Sequence, residues 1–332
     1  MLGCTAGETV MEDTRACLHC YVLDGETSGT PLELAALAPD DPRLVWIHLN
    51  GRHNDTKKFL KEQLQLDPMI VKVLLAEETR PRIEETEHGT LIMLRGLNHN
   101  PGPEPEDLVS IRLWLTPKRI ITVSRRRARA ITELDERLRA LRGPRNTGEF
   151  LSMLCAHLND GIEPALQNLD NSLDDLEEVA NTAPDAHLRH DLGGIRKQAT
   201  LFRRHIGPLR DVVGRLQQME GLKLSKTDHW SIHDSLDRLT RFVEELDATR
   251  ERCQILQDGI DSALSARLNR NLYILSVITV IFMPLTFLSG LLGMNVAGIP
   301  GAAHPWAFLI VCGVALLLVA VQIVIFRRLK WF

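Results

Sequence analysis

The segment from Leu272 to Asn295, LYILSVITVIFMPLTFLSGLLGMN, decides the fold. Its first part, Leu272 to Leu292, is an apolar run of about 21 residues, which at about 1.5 Å per helical residue crosses a hydrocarbon core of about 30 Å. A second run, Pro305 to Phe326, has about 22 residues. No Lys, Arg, Asp or Glu occurs between Asn271 and Phe326. Two adjacent uncharged runs of spanning length predict two membrane helices rather than a buried hairpin of a soluble core.

Flanking charge orients them. Arg267 and Arg270 precede the first run, and Arg327, Arg328 and Lys330 follow the second. The connection from Gly293 to His304 carries no Lys or Arg. The positive-inside rule then puts both chain ends in the cytoplasm and the connection outside. Trp331 and Phe332 are expected at the inner interface and Trp306 at the outer one.

One stripe of the first run is unlike the rest. Asn269, Leu272, Ser276, Thr279, Met283, Thr286, Gly290 and Gly293 follow in steps of three and four, so they share a helix face. Most are small or polar, whereas their neighbours are Ile, Val, Leu and Phe. Two readings stay open. Small residues let helices pack closely, or the hydroxyls and the amide line a wet path for an ion. One stripe cannot enclose a channel, so the second reading requires a symmetric ring of copies. Pro284 removes one helical hydrogen bond in mid-span and predicts a kink.

The chain before these runs is charged throughout, although the whole has 332 residues, 44% hydrophobic and 25% charged, close to soluble averages. A net charge of −4 gives no reason to expect a nucleic-acid partner. Cys4, Cys17, Cys20, Cys155, Cys253 and Cys312 are too scattered for a disulfide framework, which points to a reducing compartment. No secretory signal pattern is read at the N-terminus.

Strands are predicted at Leu44–Leu49, Thr90–Leu94, Leu108–Thr116 and Arg119–Ser124, the third from its period of two. Helical stretches fall near Asp55–Leu66 and Pro68–Ala76, and Asn98–Glu106 reads as a loop. From about Thr147 the chain becomes helical. One seam runs through Ile162, Leu166, Leu169, Leu173 and Leu176, another through Ile195, Ala199, Phe202, Ile206, Leu209, Val213 and Leu216, with a turn at Asn181–Asp185. A third helix starts near Ser231, packs through Leu239, Val243, Leu246, Cys253, Leu256, Ile260 and Leu264, and has no stop before the first membrane run. It is expected to be one helix of about 60 residues, on the order of 90 Å. Its opposite stripe, through Glu251, Ile255, Asp258, Ser262 and Ser265, continues the polar face backward.

Pro284 to Asn295, ending in Gly293-Met294-Asn295 in the turn between two final spans, resembles the CorA family of divalent-cation transporters, over nearly the whole chain. Val296 to Gly301, Thr79-Arg80-Pro81-Arg82, Ser110-Ile111-Arg112-Leu113-Trp114 and Lys330-Trp331 resemble its zinc-transporting ZntB branch. Leu292 replaces the aromatic usual before Gly-Met-Asn in CorA magnesium channels, and the loop lacks the acidic residues they often carry; both departures speak against a magnesium channel.

The resemblance implies a fold and a function. An α/β cytosolic domain (residues 1–146) is followed by a helical funnel and stalk (147–270) and two transmembrane helices with an outer loop (271–332). Five copies form a homopentamer in the inner membrane, the first span lining a central pore and the second forming an outer ring. Asn295 places a ring of amide oxygens at the mouth, touching a hydrated ion. Thr286, Met283, Thr279, Ser276, Leu272 and Asn269 match pore-lining positions, and Asp258 matches an acidic position in the cytosolic throat. Divalent zinc is the expected cargo, with uptake coupled to protons and no cofactor. The alternatives are a magnesium, cobalt or nickel channel on the same fold and a membrane-tethered coiled-coil scaffold. No P-loop, nucleophile motif or paired catalytic carboxylates suggests an enzyme.

Other clusters have blander readings. Cys17-Leu18-His19-Cys20 lacks the second ligand pair of a structural zinc site. His304 at the end of the loop suits proton coupling by residue type but reads more simply as an exposed histidine. Asp170, Asp174, Asp175, Glu177 and Glu178 either gather cations or form a solvated helix face. Arg125, Arg126, Arg127 and Arg129 suggest nucleic acid or lipid headgroups but read more simply as a solvated face, and Asp258 has the alternative of a surface acid.

Overall fold

A computed structural model describes residues 15–23, 29–38, 41–77, 80–98, 108–182, 186–222, 224–294 and 304–328. It divides into two compact units, Met1–Gln257 and Asp258–Phe332. Thr79, Pro184, most of the expected loop after Asn98, Asn295 and the rest of the connection through residue 303, and Lys330 to Phe332 lie outside the described residues.

In the first unit the described residues form one seven-stranded sheet. In chain order the strands are β1 (Cys17–Leu23), β2 (Thr30–Pro31), β3 (Leu44–Asn50), β4 (Arg82–Thr86), β5 (Gly89–Leu97), β6 (Leu108–Leu115) and β7 (Arg119–Ser124). In space the order is β2-β1-β3-β7-β6-β5-β4, with β3 and β7 parallel and the other pairs antiparallel. The four expected strands are all present, and β5 runs three residues further, to Leu97.

Helices cover both faces of the sheet. On one side, α1 (Asn54–Lys58), a π-turn (Phe59–Gln63) and α2 (Pro68–Leu74) bury Phe59, Leu60, Val71 and Leu74 against Val45, Ile47, Leu91, Met93, Trp114, Ile121 and Val123. On the other lie α3 (Arg129–Arg139) and the first turns of α4 (Thr147–Thr182), with Phe150 tilted against Trp46 at 5.3 Å. Alternating strand residues feed the two layers, as period two requires. Arg112 is buried among the apolar residues of β6. Its Nη2 donates to the carbonyls of Ala76 (2.5 Å) and Glu77 (3.1 Å), just past the end of α2. A cation there faces the negative end of the helix, and the contact ties the Ser110–Trp114 motif to the segment leading into Arg80-Pro81-Arg82.

Besides the two-residue β2, three elements depart from expectation. The strand β1 carries no clear strand pattern because a bulge between Cys17 and His19 breaks its alternation. The edge strand β4 is mostly exposed and charged, so it carries no apolar pattern. The helix α3 begins inside the arginine-rich segment read as a solvated face; Ala130, Ile131, Leu134 and Leu138 are buried on its inner side, while Arg129 pairs with Glu133 on the outer one.

Beyond the sheet, α4 and α5 (Ala186–Gln218) pack through the expected seams, with Leu169, Leu173, Ala199, Phe202, Leu209 and Leu216 buried. The long helix α6 runs from Lys226 to Leu292 without interruption. It starts five residues before the expected position because Ser225 and Asp228 form a reciprocal cap: Ser225 N–H donates to Asp228 Oδ2 (2.9 Å) and Asp228 N–H to Ser225 Oγ (3.1 Å). Asn159 Nδ2 donates to Ser235 O, and Arg238 bonds Asp160 and Glu163, so α4 and the first half of α6 are joined.

His48 supplies a test of this core. It lies between Thr122 Oγ1 (2.8 Å from Nδ1) and Ser124 Oγ (3.3 Å from Nε2), with His19 stacked 5.7 Å away. Burial pushes its imidazole down to about 3, with help from His19 and against Asp135 and Thr122. The unfolded chain takes up this proton near pH 6.5, whereas the folded chain refuses it until about 3. This contribution to stability is whole above pH 6.5 and drains as pH falls, by up to about 1.4 kcal/mol per pH unit. His48→Gln should therefore flatten the acid limb of a Tm-against-pH curve, followed by tryptophan fluorescence; an unaltered limb would assign the acid loss to other groups.

Candidate functional site

The second unit holds the end of α6 and a last helix, α7 (Ala307–Arg328). Both are long and apolar enough to cross a membrane, and their large side chains are exposed, Phe282 at 59%, Phe287 at 70% and Phe308 at 79%. Such a surface suits hydrocarbon and would not suit water.

The two helices meet along one face of α6. Its less exposed span positions are Val277, Ile281, Pro284, Leu285, Leu288 and Leu292. Gln322 Nε2 of α7 donates to Val280 O at 3.0 Å. At about 100° per residue, that row lies opposite Ser276, Thr279, Met283, Thr286 and Gly290, all of which are exposed. The small and polar stripe is thus the face of α6 turned away from α7, and it does not serve packing between the two spans of one chain.

Along the stripe, the Thr279 hydroxyl donates to Leu275 O and the Thr286 hydroxyl to Phe282 O, both at 2.9 Å. The proton is used within the helix, while the hydroxyl oxygen keeps lone pairs directed outward. Leu272 and Met283 are 60% and 70% exposed, and Asn269 is exposed one turn before the span. Asp258 is also exposed, at the start of this unit. The helix stops at Leu292. A Cβ on Gly293 would lie 2.9 Å from Ser289 O, a backbone atom, so the turn there has room for glycine only. Met294 is exposed, and Asn295 lies outside the described residues.

His304 has a structural task that its sequence position did not reveal. Its Nδ1 accepts the Trp306 N–H (3.3 Å) and its carbonyl accepts the Ala307 N–H (3.0 Å), which caps the start of α7. Gln322 gives no signal in the sequence either, because one amide in an apolar run does not disturb the pattern of a span.

The remaining candidates have other partners. The β1 bulge brings Cys17 into phase with Cys20, both toward the α1–α2 core, paired with Leu49 and Ile47 of β3. His19 faces the opposite layer, where Nδ1 lies 3.0 Å from Asp135 Oδ1 and Tyr21 donates to the same oxygen at 2.6 Å. The three side chains therefore cannot converge on one ion. Burial raises the Cys17 thiol to about 12 and that of Cys20 to about 11, so both stay protonated. Among the described residues, no group of three or more His, Cys, Asp or Glu could hold a metal.

The acidic stretch of α4 is neither a bare cation trap nor a purely solvated face. Arg252 of α6 donates to Asp170 (2.8 Å), Asp174 (2.5 Å) and Glu177 (3.1 and 2.9 Å). Bonds to Glu177 and Asp174 hold its guanidinium above the ordinary arginine range. The cluster borders a cleft of about 340 Å³ between α4 and α6, where burial raises the Glu245 carboxyl, against Arg241 and with Asp170 and Glu163.

Comparison with known proteins places these features in a family. The model for the CorA-like Mg2+ transporter protein family matches residues 41–328. The divalent cation transporter CmaX of Pseudomonas aeruginosa is 34% identical over 334 residues, covering 96% of this chain and 98% of that protein. The zinc transport protein ZntB of Pectobacterium atrosepticum is 32% identical over 317 residues, covering 95% of each. The structure of full-length CmaX superposes with a TM-score of 0.81 at 32% identity, over 96% of this chain and 99% of that one.

Replacing Arg252 with Gln leaves three carboxylates facing one another. The expected cost is on the order of 1 kcal/mol at low salt, narrowing at about 1 M, where charges are screened beyond about 3 Å. Thermal unfolding at the two salt concentrations checks it; a salt-independent cost would mean that packing and not charge holds α4 to α6.

Proposed function

The chain belongs to the CorA-like Mg2+ transporter family and is a divalent-cation transporter of the inner membrane. From that premise we propose that it carries zinc, by proton-coupled uptake, through a central pore lined by the first spans of five copies. The observation that supports this most directly is the exposed stripe on the face of α6 turned away from α7.

A hydrated divalent ion gives up its water reluctantly. A lining of neutral oxygens holds that shell by hydrogen bonds without the deep well a ring of carboxylates would create. Thr279, Thr286 and Ser276 supply hydroxyl oxygens, with Met283 and Leu272 as apolar levels between and below them. Asn269 and Asp258 carry the path toward the cytoplasm. Gly293 and Met294 lead to Asn295, whose amide, by resemblance of the motif, meets the ion at the outer mouth. In this reading residues 1–146 and 147–270 are the cytosolic domain and the stalk, residues 271–332 the membrane part, and both termini are cytoplasmic. The ZntB relative's name supports zinc as cargo; the family model's description keeps magnesium as the competitor.

Purified protein in proteoliposomes should take up radioactive zinc, faster with an inward proton gradient and little inhibited by magnesium. Asn295→Ala should abolish uptake. Thr286→Val, which keeps size and removes the hydroxyl, should slow it by roughly tenfold, equivalent to about 1.4 kcal/mol at the barrier, while Ile278→Val away from the stripe should not. Zinc entry indifferent to the gradient rejects proton coupling, magnesium flux without zinc flux rejects the cargo, and full flux in the Asn295 variant rejects the pore.

A further inference from the structure

Pro284 has no amide proton, so the carbonyl four residues earlier, that of Val280, lacks its helical donor. In hydrocarbon no water replaces that donor. The structure supplies one from the other span: Gln322 Nε2 lies 3.0 Å from Val280 O. A carbonyl oxygen only accepts, so the nitrogen end of the amide must face it. Gln322 Oε1 is buried and has no hydrogen-bond partner among the described residues. The bond to Val280 is therefore the one this amide is placed to make. Between Ala307 and Phe326 no other residue carries an amide or a hydroxyl, although polar groups in a span are costly.

We propose that Gln322 is a positioning residue for ion passage: it supplies the hydrogen bond that Pro284 removes, and so pins α6 to α7 where the first span is weakest. Met283 and Thr286, one and two residues from Pro284, stand on the opposite face of the same turn. Fixing the turn fixes the level and direction of both. Without the bond, the unsatisfied carbonyl draws the helix toward other hydrogen-bonding geometries, and the stripe loses its register around Pro284. This inference rests on the stripe being the ion path, but the contact itself does not.

The test is a double-mutant cycle on the full chain in proteoliposomes. Gln322→Leu should lower the maximal flux of zinc, or of magnesium if that is what the wild type carries, by between about threefold and about twentyfold, the range of interhelical bonds in membranes. The concentration for half-maximal flux and the oligomer size should hold, since the mouth is untouched. Pro284→Ala restores an N–H at position 284 that satisfies Val280 O from within the helix. In the Pro284→Ala background, Gln322→Leu should therefore cost less than about twofold in flux and should no longer lower Tm. Equal losses in both backgrounds, or no loss in the wild-type background, overturn the proposal. If Gln322→Leu assembles poorly, the Tm difference between backgrounds, read on the fraction that assembles, decides in the same way. A wild-type chain that carries neither ion sinks the transport reading and with it the role in passage, while the Tm cycle still tells whether the contact exists.

Discussion

Hydrocarbon offers no hydrogen-bond partner, and the membrane part of this protein is organised by that constraint. The long helix satisfies its own backbone until Pro284 interrupts the ladder, and the vacancy is filled by the amide of Gln322. Hydroxyls within the span obey the same rule: Thr279, Thr286 and Ser289 each donate to a carbonyl one turn back. At the C-terminal end of the first span, Gly293 N–H donates to Ser289 O as the helix stops. At the start of the second, His304 caps the first free amides of α7. Most of these polar groups are thus answered within one helical turn or, for Val280 O, by the neighbouring helix, while the Oε1 of Gln322 is left without a hydrogen-bond partner among the described residues.

How far this was legible in the sequence depends on the range over which each signal acts. The spans are written in composition, because a stretch of spanning length without a charge has few other uses. The continuity of α6 is written in the lack of Gly or Pro between Trp230 and the membrane that would have stopped it, apart from Gly259, which the helix carries through. The stripe is written in the helical period. Strand β1, by contrast, was hidden by one extra residue in its bulge, which destroys the alternation that betrays a strand. Helix α3 was hidden by the arginines at its start, whose charge masks the buried row of Ala130, Ile131, Leu134 and Leu138. Neither failure concerns propensity; each concerns a local pattern masked by a single structural device.

Partners distant in sequence were not legible at all. That Arg252 would gather Asp170, Asp174 and Glu177 requires knowing that α4 lies beside the first half of α6, and charge counts alone suggested an acidic surface. That Arg112 would hold the end of α2 requires the sheet order. That Gln322 would meet Val280 requires the level at which two antiparallel spans pass. Pro284 announces that some carbonyl is left without a donor, but not which side chain will reach it.

The stripe and the Pro284 contact place opposite demands on one helix. On the proposed reading of the stripe as an ion path, that face should hold the ion's water shell loosely, which favours few oxygens and no fixed charge. A helix with such a face has few groups to anchor it there, since small and hydroxyl side chains pack weakly against water. Its position must then be set from behind, by the row Val277, Ile281, Pro284 and Leu288 that turns toward α7. Apolar packing between membrane helices has no hydrophobic driving force, because lipid tails compete on equal terms. A directional bond at one level resolves what packing leaves free, and placing it at the proline makes that bond obligatory rather than incidental. The polar face can remain sparse because the opposite face carries the specification of its register.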